Sequence, residues 1–251
     1  MRPVRLFSTD IDGTVAGDRE ASRRFSAFWQ SLEPEGRPLL VYNSGRLVDD
    51  ILSFTEKEDL PVADFVIGGV GTMMSGGAIS GMDVEYAEFI AEGYDAASIG
   101  VLLSDLPDIV RQPDRFQHER KSSWFLHDAT ADRLSALGDQ LEGTGLKVKI
   151  VYSSNRDLDI LPANADKGQA LTWLCRKLGI RLDEVVVAGD TGNDSDMFTL
   201  DGVRGIIPAN GRDELRLRFS QDDRVYHAKG READGVIEGL WHWLGERTAS
   251  G

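Results

Sequence analysis

Short apolar runs alternate with amphipathic stretches along the first third of this chain. Val4-Arg5-Leu6-Phe7 reads as a β-strand, and Phe25, Phe28, Trp29 and Leu32 then fall at helical spacing. Pro34, Gly36 and Pro38 break that helix before a second apolar run, Leu39-Leu40-Val41-Tyr42. Leu47, Ile51, Leu52 and Phe54 predict another helix, and Phe65-Val66-Ile67 a third buried strand. A strand–helix–strand rhythm of this kind predicts a parallel sheet with helices on its faces.

The pattern then loosens. Ser75-Gly76-Gly77-Ala78 reads as a turn, followed by helical stretches around 84–91 and 96–106 and a strand over 122–127. A helix over 131–141 and strands at 147–152 and 158–161 complete an α+β module. The parallel rhythm resumes with a helix carrying Ala170, Leu171, Leu174 and Leu178, then Val185-Val186-Val187-Ala188. That β-branched run suits a strand covered on both faces. Short strands at 203–207 and 225–227 precede a last helix through Val236, Ile237, Leu240, Trp241 and Leu244, and the tail after Arg247 reads as disordered. The expected fold is α/β: a Rossmann-like, doubly wound parallel sheet core formed by residues 1–80 and 161–251, with an α+β domain inserted over 81–160.

Composition narrows the function. The 251 residues are 41% hydrophobic and 28% charged, ordinary for a globular protein with a full core. A formal net charge of −14 argues against nucleic acid or an anionic membrane as a partner. An anionic small molecule would need a local cation. The single cysteine, Cys175, can form no internal disulfide and reads as a buried structural thiol. With no apolar stretch of membrane-spanning length, a cytoplasmic location is expected.

The candidate chemistry gathers at the ends of the apolar runs. Asp10-Ile11-Asp12-Gly13-Thr14 closes the first strand, and Gly189-Asp190-Thr191-Gly192-Asn193-Asp194 closes the valine-rich one. Asp-Gly is also a plain turn signal. A doubled acid at a strand end can instead hold a metal, act as a nucleophile, or divide acid and base roles. If the two strands are neighbours, Asp10, Asp12, Asp190 and Asp194 converge, and four ionised carboxylates require a cation. The all-oxygen donor set suits Mg²⁺ rather than zinc. If a helix began at Asp190, Asp194 would share its face. Ser44-Gly45 follows the second strand and can offer a hydroxyl and backbone N–H groups to a phosphate. Lys167 heads a helix, where the dipole disfavours a cation, so a nearby anion would explain it; alone it would read as a solvated lysine.

Asp10-Ile-Asp-Gly-Thr14, Ser44-Gly45-Arg46, Lys167 and Gly189-Asp-Thr-Gly-Asn-Asp194 resemble, in order, the four motifs of the haloacid dehalogenase superfamily of phosphotransferases. A module between the second and third motifs resembles the α+β cap of the branch that contains sucrose-phosphate phosphatase. Val70-Gly71-Thr72, Lys121-Ser122-Ser123-Trp124, Tyr152-Ser-Ser154 and Asp157-Leu-Asp159 are similar to that branch as well. The resemblance implies Asp10 as nucleophile and Asp12 as general acid, then base. It implies Ser44, Gly45 and Lys167 as phosphate ligands. Mg²⁺ would be held by Asp10, the backbone carbonyl of Asp12, and Asp190, with Asp194 in support.

The implied substrate is a small-molecule sugar phosphate, a phosphorylated disaccharide, with mannosylfructose phosphate ahead of sucrose 6-phosphate. Candidate sugar readers in the cap are Lys121, Ser122, Ser153, Ser154, Arg156, Asp157 and Asp159, with His118 and Trp124 behind them. In Trp-Phe-Leu, one alternating face is expected to be cap core, and Trp124 with it. A phosphomutase using the same aspartyl-phosphate, or a non-catalytic sugar-phosphate sensor, would share these motifs. The oligomeric state is not legible.

Overall fold

The computed structural model describes residues 2–77 and 79–245. Its core strands are β1 (Leu6–Thr9), β2 (Leu39–Asn43), β3 (Phe65–Gly68) and β4 (Met73–Gly76). The helices α1 (Arg19–Ser31) and α2 (Val48–Lys57) connect the first three. After them come α3 (Met82–Ile90), α4 (Ala96–Ser104), β5 (Val110–Arg111), β6 (Ser122–Phe125), α5 (Ala131–Glu142), β7 (Val148–Ser153) and β8 (Asp157–Pro162). The chain returns through α6 (Lys167–Leu178), β9 (Val185–Ala188), α7 (Ser195–Phe198), β10 (Arg204–Ile207), α8 (Asp213–Arg218), β11 (Val225–His227) and α9 (Glu232–Leu244).

Seven strands form one sheet in the order β11-β10-β9-β1-β2-β3-β4, parallel except for β4. Side-chain alternation sends successive residues to opposite faces. Leu6, Val41, Val185 and Val187 pack with α3 and α6 on one side. Phe7, Leu40, Val186 and Ala188 pack with α1, α2 and α9 on the other. Both faces of these strands are therefore dry, which is why they read as unbroken apolar runs. On the second face Phe7, Phe25 and Trp29 form a cluster with ring centroids 5.8–6.4 Å apart.

A second, antiparallel sheet, β5-β6-β8-β7, carries its own core of Ile99, Leu103, Trp124, Leu137, Leu141, Leu158 and Ile160. Trp124 is buried there, with its indole Nε1 donating to Ser122 Oγ at 2.7 Å. Helix α3 does not join this core. Met82, Tyr86 and Ile90 pack with the central sheet, and Tyr86 meets Trp173 of α6 edge to face at 5.1 Å. The division expected at residue 81 thus assigns to the inserted module a helix whose apolar stripe belongs to the core.

The expected turn at 75–78 is also corrected: Ser75 and Gly76 end β4, which pairs with β3 from Phe65–Gly76 to Gly68–Met73. Ala78 and the tail after Arg247 lie outside the described residues. The reversal lies earlier, where Gly69, Val70 and Gly71 all take positive φ. Gly71 has φ +89°, and a Cβ there would sit 2.2 Å from the Asp166 carbonyl oxygen, so only glycine lets this loop lie against the start of α6. Gly71→Ala is expected to cost about 1–3 kcal/mol or more. Urea unfolding followed by circular dichroism checks this; an unchanged midpoint would refute it.

Candidate active site

Parallel pairing in register, Thr9 beside Ala188 and beside Tyr42, brings the loops after β9, β1 and β2 together. This is where the strand order reverses, the crevice in which open α/β sheets bind ligands. Asp10, Asp190 and Asp194 are all buried there, with carboxylate oxygens within 4.8 Å of one another. Lys167 lies among them with no exposed surface, its Nζ donating to Asp10 Oδ1 at 2.8 Å and to Asp194 Oδ1 at 2.6 Å. The solvated-lysine reading fails on that burial. At the first position of α6, behind the Asp166 cap, Lys167 opposes the helix dipole and is held instead by two carboxylates.

Asp194 arrives by a different route from the one expected. No helix starts at Asp190; a short 3-10 turn, Gly192–Asp194, intervenes. Asp194 folds back so that Oδ2 accepts from the backbone N–H groups of Asp190 and Thr191, each at 3.0 Å. It thereby braces the loop as well as the lysine. Thr14 Oγ1 donates to Asp190 Oδ1 at 3.1 Å. Gly13, at φ +77°, leaves room for the other oxygen, since a Cβ there would lie 2.5 Å from Asp190 Oδ2.

Burial raises the pKa of Asp10 well above the ordinary carboxylate range; Lys167 opposes this, and the Asp194 charge adds to it. Asp190 is raised by burial and then by the Asp10 charge. Burial would lower Lys167, but the charges of Asp10 and Asp194 outweigh it and hold the ammonium above its usual value. Three carboxylates against one lysine leave negative charge uncompensated. The donor set is all oxygen and includes no imidazole or thiolate, so it fits a hard divalent cation such as Mg²⁺.

Asp12 stands apart from this cluster. Its side chain is about half exposed and accepts two hydrogen bonds from Arg46, from Nε at 2.6 Å and Nη2 at 2.7 Å. Arg46 also donates to Asp50 at 2.9 Å and stacks over Phe54 at 3.9 Å. The expected convergence of the Asp12 carboxylate with those of Asp10, Asp190 and Asp194 is therefore corrected: its nearest charge is a guanidinium. Arg46 follows Ser44-Gly45, and sequence reasoning passed over it although it stood in the quoted motif. Its acceptors lie 34 residues before it and four after it, and only the fold brings Asp12 into reach.

Asp10, Asp12, Ser44, Gly45 and Arg46 floor a cleft of about 360 Å³. Its roof comes from the smaller sheet: Lys121, Ser153, Ser154, Arg156, Asp157 and Asp159 all face it. Ser122 does not. Strand alternation turns Ser122 inward to Trp124, while Lys121 and Ser123 share the cleft side. Lys121 is buried, paired with Asp159 Oδ1 at 2.8 Å and hydrogen-bonded to Ser123 Oγ and the Phe116 carbonyl. Gln112 Nε2 donates to Asp157 Oδ1 at 3.1 Å. Gln112, Phe116 and Phe125 also line the cleft and were not foreseen, since no local pattern marks them as site residues; Thr191 and Asn193 line it too and stood in the quoted motif. His118 faces a separate cavity beside Thr72, Asp83 and Tyr86.

The family model for sucrose-6F-phosphate phosphohydrolase matches residues 3–244. The chain belongs to that family. It is 50% identical over 243 residues to mannosylfructose-phosphate phosphatase of Agrobacterium fabrum, covering 97% of this chain and 98% of that one. It is 32% identical over 257 residues to sucrose-phosphatase 1 of Nicotiana tabacum, covering 97% of this chain but 60% of the tobacco protein. Among solved structures, a Synechocystis sucrose-phosphatase in complex with sucrose and phosphate superposes with a TM-score of 0.87 at 26% identity, covering 97% of this chain and 98% of that one. The fold is that of the haloacid dehalogenase superfamily, and the enzyme class is a phosphoric monoester hydrolase.

The raised carboxylates have a measurable consequence. Folded Asp10 and Asp190 bind protons more tightly than the unfolded chain does, so metal-free stability falls as pH rises from the carboxylate range through their raised values. In EDTA the melting temperature is expected to be lower at about pH 8 than at about pH 5, and Mg²⁺ should restore more of it at the higher pH. Asp190→Asn should flatten the slope. An EDTA melting temperature equal in wild type and Asp190→Asn across that range would contradict the assignment.

Proposed function

We propose that this sugar-phosphate phosphatase hydrolyses a phosphorylated disaccharide, mannosylfructose phosphate first and sucrose 6-phosphate second, through a phosphoryl group carried by Asp10. One observation carries the reading: Asp10, held from behind by the buried Lys167, lines the same cleft as the polar roof of the smaller sheet. A reacting carboxylate and a hydroxyl-matching surface thus confront one bound molecule from two sides. The 50% identity over nearly the whole chain supports mannosylfructose phosphate over sucrose 6-phosphate. A lone buried thiol supports a reducing, cytoplasmic setting.

Asp10 attacks phosphorus as the bond from phosphorus to the sugar oxygen breaks. Lys167 offsets the repulsion between the carboxylate and the phosphate dianion. The Ser44 hydroxyl and the N–H of Gly45 hold phosphoryl oxygens, and Gly13 allows the backbone to approach. Asp12 gives its proton to the departing sugar oxygen. Water then attacks phosphorus, Asp12 takes the water proton, and phosphate leaves as Asp10 is regenerated. Mg²⁺, held by Asp10, Asp190 and the Asp12 carbonyl with Asp194 behind them, would neutralise charge on the transferring group. Asp12 must exchange Arg46 for the substrate before it can act, which couples proton transfer to filling of the cleft. The roof excludes water and reads the sugar through Asp157, Asp159, Ser153 and Lys121.

Asp10→Asn should reduce phosphate release to background. Asp12→Ala should lower kcat about a hundred- to ten-thousand-fold with KM little changed. Full turnover by Asp10→Asn would end the covalent scheme. Phosphate release with Mg²⁺ across phosphorylated disaccharides and monosaccharides tests the substrate. A preference for a monosaccharide phosphate would overturn the disaccharide assignment, and transfer of the phosphoryl group to an added sugar acceptor without release of free phosphate would favour a phosphomutase.

A further inference from the structure

At the opposite end of the central sheet, a separate cavity of about 730 Å³ opens where β9 and β10 begin. That size lies within the range of small-molecule sites, about 300–1,000 Å³. Its distinctive group is Arg204, the first residue of β10, which is only 5% exposed. A buried guanidinium needs acceptors for five N–H donors. Among the described residues, Arg204 makes one such bond, from Nη2 to the Asp183 carbonyl oxygen at 3.1 Å, and no ion pair.

The neighbouring charges are satisfied elsewhere. Asp183 takes both Arg181 donors at 3.0 Å and Arg2 at 3.2 Å. Arg224 grips Asp222, with its Nη2 at 2.7 Å. Asp223 is exposed at the rim. Arg204 itself lines the cavity, and among the described residues its Nε and Nη1 have no hydrogen-bond partner. The space beside them is this cavity.

An aromatic wall stands next to the unpaired cation. Trp243 is fixed by a hydrogen bond from its Nε1 to the Gly205 carbonyl oxygen at 3.0 Å, and the Arg204 guanidinium carbon lies 5.9 Å from its ring centre. His242 meets Trp243 edge to face at 4.5 Å and stacks on Tyr226 at 4.6 Å. The remaining N–H donors of the guanidinium suit a carboxylate, and the flat apolar rings suit an aromatic body.

We propose that this cavity is a second binding site, distinct from the catalytic cleft, for a small aromatic monoanion held by Arg204 and stacked against Trp243 and His242.

Calorimetric titration of the full chain with 1-naphthoate tests it. Saturable binding at one site per chain is expected, unaffected by saturating the catalytic cleft with inorganic phosphate. Arg204→Met should weaken it about tenfold or more, the loss expected for a charged hydrogen bond. Phosphatase activity of Arg204→Met without naphthoate should match wild type. His242→Glu, a change on an exposed helix face, places a like charge at the rim and should weaken binding even if Arg204→Met does not fold. Absence of saturable binding, displacement by phosphate, or wild-type affinity in His242→Glu would each overturn the proposal.

Discussion

Three buried carboxylates share one buried lysine at the carboxyl edge of the central sheet, and much of the surrounding structure exists to keep them there. Charges removed from water are tolerated only when paired or matched to a cation. Asp194 answers part of this demand, spending one oxygen on Lys167 and the other on two backbone N–H groups. The pKa values of Asp10 and Asp190 are raised chiefly by burial, with neighbouring carboxylates adding to it and Lys167 only partly offsetting it. That unmet negative charge, which weakens the metal-free site, fits it to a hard divalent cation.

Rigid elements hold this arrangement. Asp10 and Asp190 follow adjacent parallel strands whose side chains are dry on both faces, so neither loop can slip without dislodging the core. The start of α6 is pressed against the loop at Gly71, and Tyr86 of α3 hydrogen-bonds the Gly71 carbonyl. Helix α3 therefore belongs to the support of the lysine, though it precedes the inserted sheet in sequence.

The inserted sheet meets the core at two kinds of contact. Its cleft face presents hydroxyls and carboxylates, with Lys121 already neutralised by Asp159. Beyond the cleft, Lys149 of β7 bridges Asp166, the cap of α6, at 2.6 Å and Asp196 of α7 at 2.9 Å. The cleft-facing surface of the inserted sheet is thus tied to both helices that flank the Asp10–Lys167–Asp194 cluster. Arg46 performs a related service from below, holding Asp12 outside the acidic cluster.

Hydrophobic patterning in the chain determined the parallel sheet, the inserted module and the strand ends that carry Asp10, Ser44 and Asp190, because burial on both faces leaves an unbroken apolar signature. The motif residues were legible on a different ground: fixed residue types a few positions apart resemble those of a known family. Tertiary structure alone decided which charges meet. Lys167, read alone, looked like a surface lysine; in the fold its carboxylates, 157 and 27 residues away in sequence, enclose it. Arg46 met Asp12, and Ser122 turned away from the cleft, through packing and register. Electrostatic pairing and side-chain direction depend on distances across the fold, and no local pattern encodes those distances.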